Sequence, residues 1–160
     1  MSLKILDKLN YLTAIRNSEG SRIFKNLWAE VNGVKKDILE DGDLSCAQFV
    51  SGILYLYKLI NDRHATVDGT VRDLENYGWY EITNPKEGCV IVWEGITYPD
   101  GNEHKHIGFY LDNGQAISNS PEDKSPKIHN WTYGNENDEK YRKVSMLLWH
   151  KDLDQETNPN

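Results

Sequence analysis

The chain has 160 residues, a net charge of -7 at pH 7 and a hydrophobic content of 38%. A single domain of this length buries a working core, and the acidic balance without any Lys/Arg run argues against nucleic acid or an anionic membrane as partner. No apolar run approaches the ~20 residues of a membrane span. No charged N-terminal segment leads into an uninterrupted apolar one, so no export signal is read and a cytoplasmic location is expected. Action outside the cell would then need lysis or a non-Sec route.

In chain order, Leu3, Leu6, Leu9, Leu12 and Ile15 fall at helical spacing, and Asn17-Ser18-Glu19-Gly20 breaks that helix. Ser21 is expected to open a second helix carrying Ile23, Phe24, Leu27, Trp28 and Val31, ended by Asn32-Gly33. Residues 34–39 read as an extended lead-in to the Asp41-Gly42 turn. Beyond a helix starting at Cys46, the polar break at Asn61-Asp62-Arg63 precedes a helix over 66–77, stopped by Gly78. From Trp79 the texture changes to short β-prone runs: 79–83, 89–94, 104–111, 115–119, 127–132 and 143–149. Pro99-Asp100-Gly101 marks a turn between the second and third of these. Helices followed by antiparallel strands make an α+β class with the helices packed on the sheet. Residues 1–150 read as one domain and 151–160 as a polar, disordered tail.

The stretch Ser45-Cys46-Ala47-Gln48-Phe49-Val50 carries the first chemical signal. Apolar residues at 46, 49, 50, 53, 54 and 57 form one helix face. Ser45 and Gln48 have the spacing of a capping box, which sets Cys46 in the first turn. A thiol at the positive end of a helix dipole ionises more easily, and the thiolate is the nucleophile. Cys89 heads an apolar strand and is expected to be structural. Two cysteines do not make a disulfide framework, so both are expected as reduced thiols.

The second signal is the strand Lys105-His106-Ile107-Gly108-Phe109-Tyr110-Leu111. Alternation sets Ile107, Phe109 and Leu111 toward the core and His106, Gly108 and Tyr110 on the other face. Gly108 leaves room over the sheet for a substrate or another backbone.

These residues resemble the NlpC/P60 family, to which the CHAP amidases are related. Ser-Cys-Ala-Gln-Phe-Val is similar to its nucleophile motif, Gly88-Cys89-Val90-Ile91-Val92-Trp93 to its Gly-Asp-hydrophobic strand, and His106-Ile107-Gly108-Phe109-Tyr110-Leu111-Asp112-Asn113-Gly114 to its histidine segment. Ser45 and Cys89 stand where that family usually has aspartates. The resemblance implies a papain-like fold and a cysteine peptidase or amidase acting on bacterial cell-wall peptides. Cys46 is then the nucleophile and His106 its ion-pair partner and general acid. No cofactor or metal is implied, and the partner is a peptide or peptidoglycan fragment. The family's third catalytic position, often a histidine, falls at Ser118 or Asn119. A two-residue Asn113-Gly114 turn places Asn119 on the face of His106; a three-residue 112–114 loop places Ser118 there. An amide carbonyl orients an imidazole better than a hydroxyl, which favours Asn119, with Ser118 and His129 as alternatives.

Two other readings compete. His104-x-His106 with His64, Glu103 and His129 could ligate a metal. Trp79, Trp93, Tyr98, Tyr110, Trp131 and Tyr133 could line a non-catalytic peptide or glycan site. An intracellular papain-like amidase or transferase also fits the same residues.

Overall fold

The computed structural model of the chain describes residues 1–97 and 101–155. It is an α+β fold. Helices α1 (Asp7–Asn17) and α2 (Cys46–Leu56) flank a small hairpin of β1 (Trp28–Val31) and β2 (Val34–Asp37), and α3 (Val67–Tyr77) follows. The main sheet is built from β3 (Tyr80–Glu81), β4 (Val90–Thr97), β5 (Glu103–Tyr110), β6 (Gln115–Ser120), β7 (Ser125–Asn130) and β8 (Val144–Trp149). Its order is β3-β8-β4-β5-β6-β7 and every pairing is antiparallel, so β5 is interior, between β4 and β6.

Helix α2 is the apolar centre. Ala47, Phe49, Val50, Ile53 and Leu54 are all buried. Phe49 meets Phe24 and Phe109 edge-on, with ring centroids 5.3 and 5.5 Å away. Tyr11 of α1 meets Phe109 at 6.0 Å and donates its hydroxyl to the Gly88 carbonyl at 2.7 Å. The Phe109 face of β5 is thus covered by α1 and α2, as the alternation predicts. Helix α3 begins and ends as expected: Thr66 Oγ1 accepts the Gly69 N–H, and Gly78 closes it at φ 110°.

Four expectations are corrected. Helix α1 starts at Asp7, because Leu3 and Ile5 are exposed and have no core to face. The helix expected from Ser21 is absent; its last residues form β1, paired with β2 across Asn32 (φ 52°) and Gly33 (φ 80°). The Asn-Gly pair is a hairpin turn rather than a helix stop. Of the apolar set that suggested a helix, Phe24 is buried whereas Ile23 is 77% and Trp28 70% exposed. Residues 151–155 are not a disordered tail: Leu153 is buried, and Trp149 donates its indole N–H to Asp154 at 3.0 Å. Residues 156–160 and the Pro99-Asp100 part of the expected turn lie outside the described residues. No helix among the described residues is long and apolar enough to cross a membrane.

Candidate active site

Cys46 is the first residue of α2, as expected, but the capping box is not formed. Ser45 has φ -86° and ψ 1°, away from the extended geometry of an accepting N-cap, and its hydroxyl donates to the Lys25 carbonyl at 3.1 Å. Gln48 Oε1 is buried without a hydrogen-bond partner among the described residues. Gln48 lines a groove of about 420 Å³ with Phe24, Gly52 and Arg63, a groove whose walls include none of the predicted site residues. The chain enters α2 through Glu40, Asp41 and Gly42, all at positive φ. Asp37 braces this loop by accepting the N–H groups of Leu27, Leu39 and Asp41 and the Asn26 amide. Desolvation opposes its ionisation, but those bonds prevail and hold the carboxyl at about 2.

The position of the thiol follows from the sheet. Tyr110 N–H donates to Cys89 and Leu111 N–H to Gln115, so the odd residues of β5 direct their backbone toward β6. Pairing with β6 ends at Gly108↔Ser118. Ile107 is the next odd residue, and its N–H faces the Cys46 thiol in place of a strand partner. The would-be partner, Asn119, instead donates its amide to the Gly42 carbonyl at 2.9 Å. Cys46 is half-buried. Burial pushes its pKa up; the N–H groups of Ile107, Ala47 and Cys46 itself and the charge of Arg142 pull it down without cancelling the rise. The resting thiol is therefore protonated at neutral pH, contrary to the expectation drawn from the helix dipole alone.

His106 lies on the opposite face from Phe109 and is 8% exposed. Its Nε2 meets Ser118 Oγ at 2.9 Å, and Ser118 Oγ also meets His129 Nε2 and Tyr133 Oη, each at 2.8 Å. The tautomers follow by elimination of donors. His129 Nδ1 is 2.7 Å from the Asn130 carbonyl, which only accepts, so that nitrogen carries the proton. Neutral His129 then accepts at Nε2, and Ser118 spends its single hydrogen there. His106 must donate to Ser118 through Nε2–H, which leaves the lone pair on Nδ1. Burial, reinforced by Arg142 and His129, pushes His106 down to about 3. Burial also lowers His129, opposed by its bond to Asn130 and aided by Arg142. Aromatic rings roof the relay: Trp93 lies 5.4 Å from His106, and Tyr133 stacks on His129 at 4.0 Å.

The structure thus joins His106 to Ser118 and, through it, to His129. It does not join Asn119 to them. The β5–β6 loop is the three-residue 112–114 form with Gly114 at φ 73°, so Ser118 takes the place proposed for Asn119, whose side chain lies on the helix side. No ion pair links Cys46 with His106, and no hydrogen bond between them occurs among the described residues; both groups rest neutral. The room above Gly108 is already filled: a methyl there would sit 2.5 Å from the Ile117 carbonyl and 3.0 Å from the Trp93 ring. Trp79 and Trp93 are buried, so neither is a surface platform, while Tyr98 lies outside the described residues. Among the described residues no cluster of three or more His, Cys, Asp or Glu is placed to hold a metal, and His64 pairs with Asp73 at 2.7 Å. Cys89 is fully buried and its thiol is pushed up to about 11 by burial, the environment of an inert structural cysteine. Arg142, whose charge reaches Cys46, His106 and His129, carried no signal in the sequence, where it sits in a run of polar and charged residues.

No protein-family model matches the chain, and no curated protein is significantly similar to it.

Proposed function

We propose that the chain is a papain-like cysteine hydrolase of the NlpC/P60 type that cleaves a peptide or amide bond, with short bacterial wall peptides as its substrate class. The observation that carries this reading is the Ser118 relay. It fixes His106 with an unprotonated Nδ1, one residue before the N–H that faces the Cys46 thiol. Because both groups rest neutral, the proton moves as the bond forms, as in a hydroxyl-nucleophile triad. Cys46 Sγ attacks the carbonyl carbon while His106 Nδ1 takes the thiol proton. Backbone N–H groups at the start of α2 are available for the oxyanion. Collapse expels the amine, which takes the proton from His106. Water, deprotonated by His106, then cleaves the thioester and returns the thiol. Ser118 holds the ring and its tautomer throughout, with His129 and Tyr133 holding Ser118.

The resting protonation states also favour a second reading, a peptide- or glycan-binding module that does no chemistry, since Cys46 is held as the thiol and the buried His106 ring is a weak base. One assay separates the two. Purified protein incubated with muropeptides at neutral pH should release new amino groups. Cys46→Ser should abolish that release, and His106→Ala should lower it by at least ~10²-fold, the range of general-base removal. Equal silence of wild type and Cys46→Ser on muropeptides and generic peptide amides would overturn the hydrolase reading in favour of the binding module.

A further inference from the structure

Residues 48, 52, 55 and 56 recur at helical spacing and so share one flank of α2. That flank and the end of α1 enclose the groove of about 420 Å³, whose walls include neither Cys46 nor His106. Phe24 and Ile53 are its buried apolar lining, while Ile23, Tyr55 and Leu56 stand exposed around it. Gly52 shapes the interior: a methyl there would sit 3.0 Å from the Phe24 ring, so only glycine lets that ring lie against the helix.

Gln48 is the exception in this apolar lining. The residue is 4% exposed, its Oε1 is sealed off without a partner, and no hydrogen bond from its amide nitrogen occurs among the described residues. Burying an unmet carboxamide is costly, and turning it end for end leaves a donor and an acceptor unspent as before. An extended peptide residue supplies the complement, because its N–H and C=O point to the same side. Gln48 and Leu56 lie about 12 Å apart along the helix axis, the reach of roughly three to four extended residues. Charge narrows the occupant further. The chain has 25 acidic residues, yet none lines the groove. Its charged wall residue is Arg63, which has no carboxylate within ion-pair distance among the described residues.

We propose that this groove is a second ligand site that takes a short extended peptide, with apolar side chains over Phe24 and Ile53, a backbone amide on Gln48 and an acidic residue at Arg63. The site does not depend on Cys46 being a nucleophile.

The test is an amide NMR titration of the isotope-labelled whole chain with acetyl-Leu-Val-Leu-Asp-amide. Shifts should saturate and centre on the Gln48 side-chain amide and Gly52. Gln48→Met keeps the length of the side chain without its carboxamide. It should weaken the peptide by ~10-fold, the scale of the hydrogen bonds lost, and leave the urea midpoint unchanged or raised because an unmet polar group is gone. A purely structural Gln48 would show the reverse, a lowered midpoint with unchanged binding. Asn in place of the peptide's Asp should weaken binding to wild type by up to ~5-fold, the range of one exposed ion pair, and make no difference to Arg63→Gln. Absence of saturable shifts at Gln48, or undiminished affinity in a folded Gln48→Met protein, overturns the proposal. So does self-association of wild type that Leu56→Asp abolishes, because a second copy then covers the groove. Turnover plays no part in these readouts. Their failure therefore leaves the Cys46 reading intact, and silence in the muropeptide assay leaves the groove intact.

Discussion

On one side of β5, Phe109 meets Phe49 and Tyr11 in edge-on ring contacts beneath α1 and α2. On the other, His106 shares Ser118 with His129 and Tyr133 under the Trp93 ring. Both sides are buried, but they fail in different ways. Apolar packing loses stability in proportion to volume removed and is indifferent to pH. A polar relay depends on each donor meeting its acceptor, and on its histidines staying neutral. The same strand therefore carries a tolerant face and an exacting one, and the candidate chemistry lies on the exacting face.

The largest separation between the faces should come from Phe49→Ala. Phe49 is fully buried, and its truncation should cost ~3–5 kcal/mol in urea unfolding. The loss should be nearly the same at pH 7.5 and pH 5.5. A markedly pH-dependent loss would mean that the helix side also senses the relay.

Acidification should act on the other face. His106 is held neutral down to about 3, whereas an unfolded histidine takes its proton near ~6.5. Its contribution is thus fully present above ~6.5 and is lost as pH falls toward 3, at up to ~1.4 kcal/mol per pH unit. His129 is shifted in the same direction. Melting temperature followed between pH 6.5 and 5, before carboxylates interfere, should fall in wild type and flatten in His106→Gln. Parallel slopes in the two proteins would place the pH sensitivity elsewhere.

The finest comparison sets adjacent residues against each other. Ser118→Ala leaves His106 Nε2–H and Tyr133 Oη without their shared acceptor and should cost ~1–3 kcal/mol. It should also change the pH profile of stability. Asn119→Ala removes only the bond to the Gly42 carbonyl and should cost ~1 kcal/mol with the profile unchanged. If Asn119→Ala moved the profile and Ser118→Ala did not, the Ser118 relay would be wrongly assigned.

Much of the scaffold is written locally. The apolar spacing of α2, Thr66 and Gly78 at the ends of α3, and the alternation in β5 each act through neighbours a few residues away, so one stretch of sequence contains the whole cause. The 112–114 loop is only half legible: Ile117 on the core face points to the register that opposes Ser118 to Gly108, but the choice between the two turns stays open and side-chain chemistry favours Asn119. The segment from Ser21 misleads because Ile23, Phe24, Leu27, Trp28 and Val31 have helical spacing but Phe24 alone is buried among the three whose side chains would anchor its start and middle, Ile23, Phe24 and Trp28.

What tertiary structure alone decides is protonation and partnership. Sequence position offers Cys46 a helix dipole, but only the packed state shows burial outweighing it. The preference for Asn119 rested on side-chain chemistry, and the end of β5–β6 pairing at Ser118 redirects that amide to Gly42. Arg142 meets His104 from 38 residues away and leaves its Nε buried and unmatched among the described residues. Burial and hydrogen-bond satisfaction depend on distant segments arriving together, and no local pattern encodes which of them will be left incomplete.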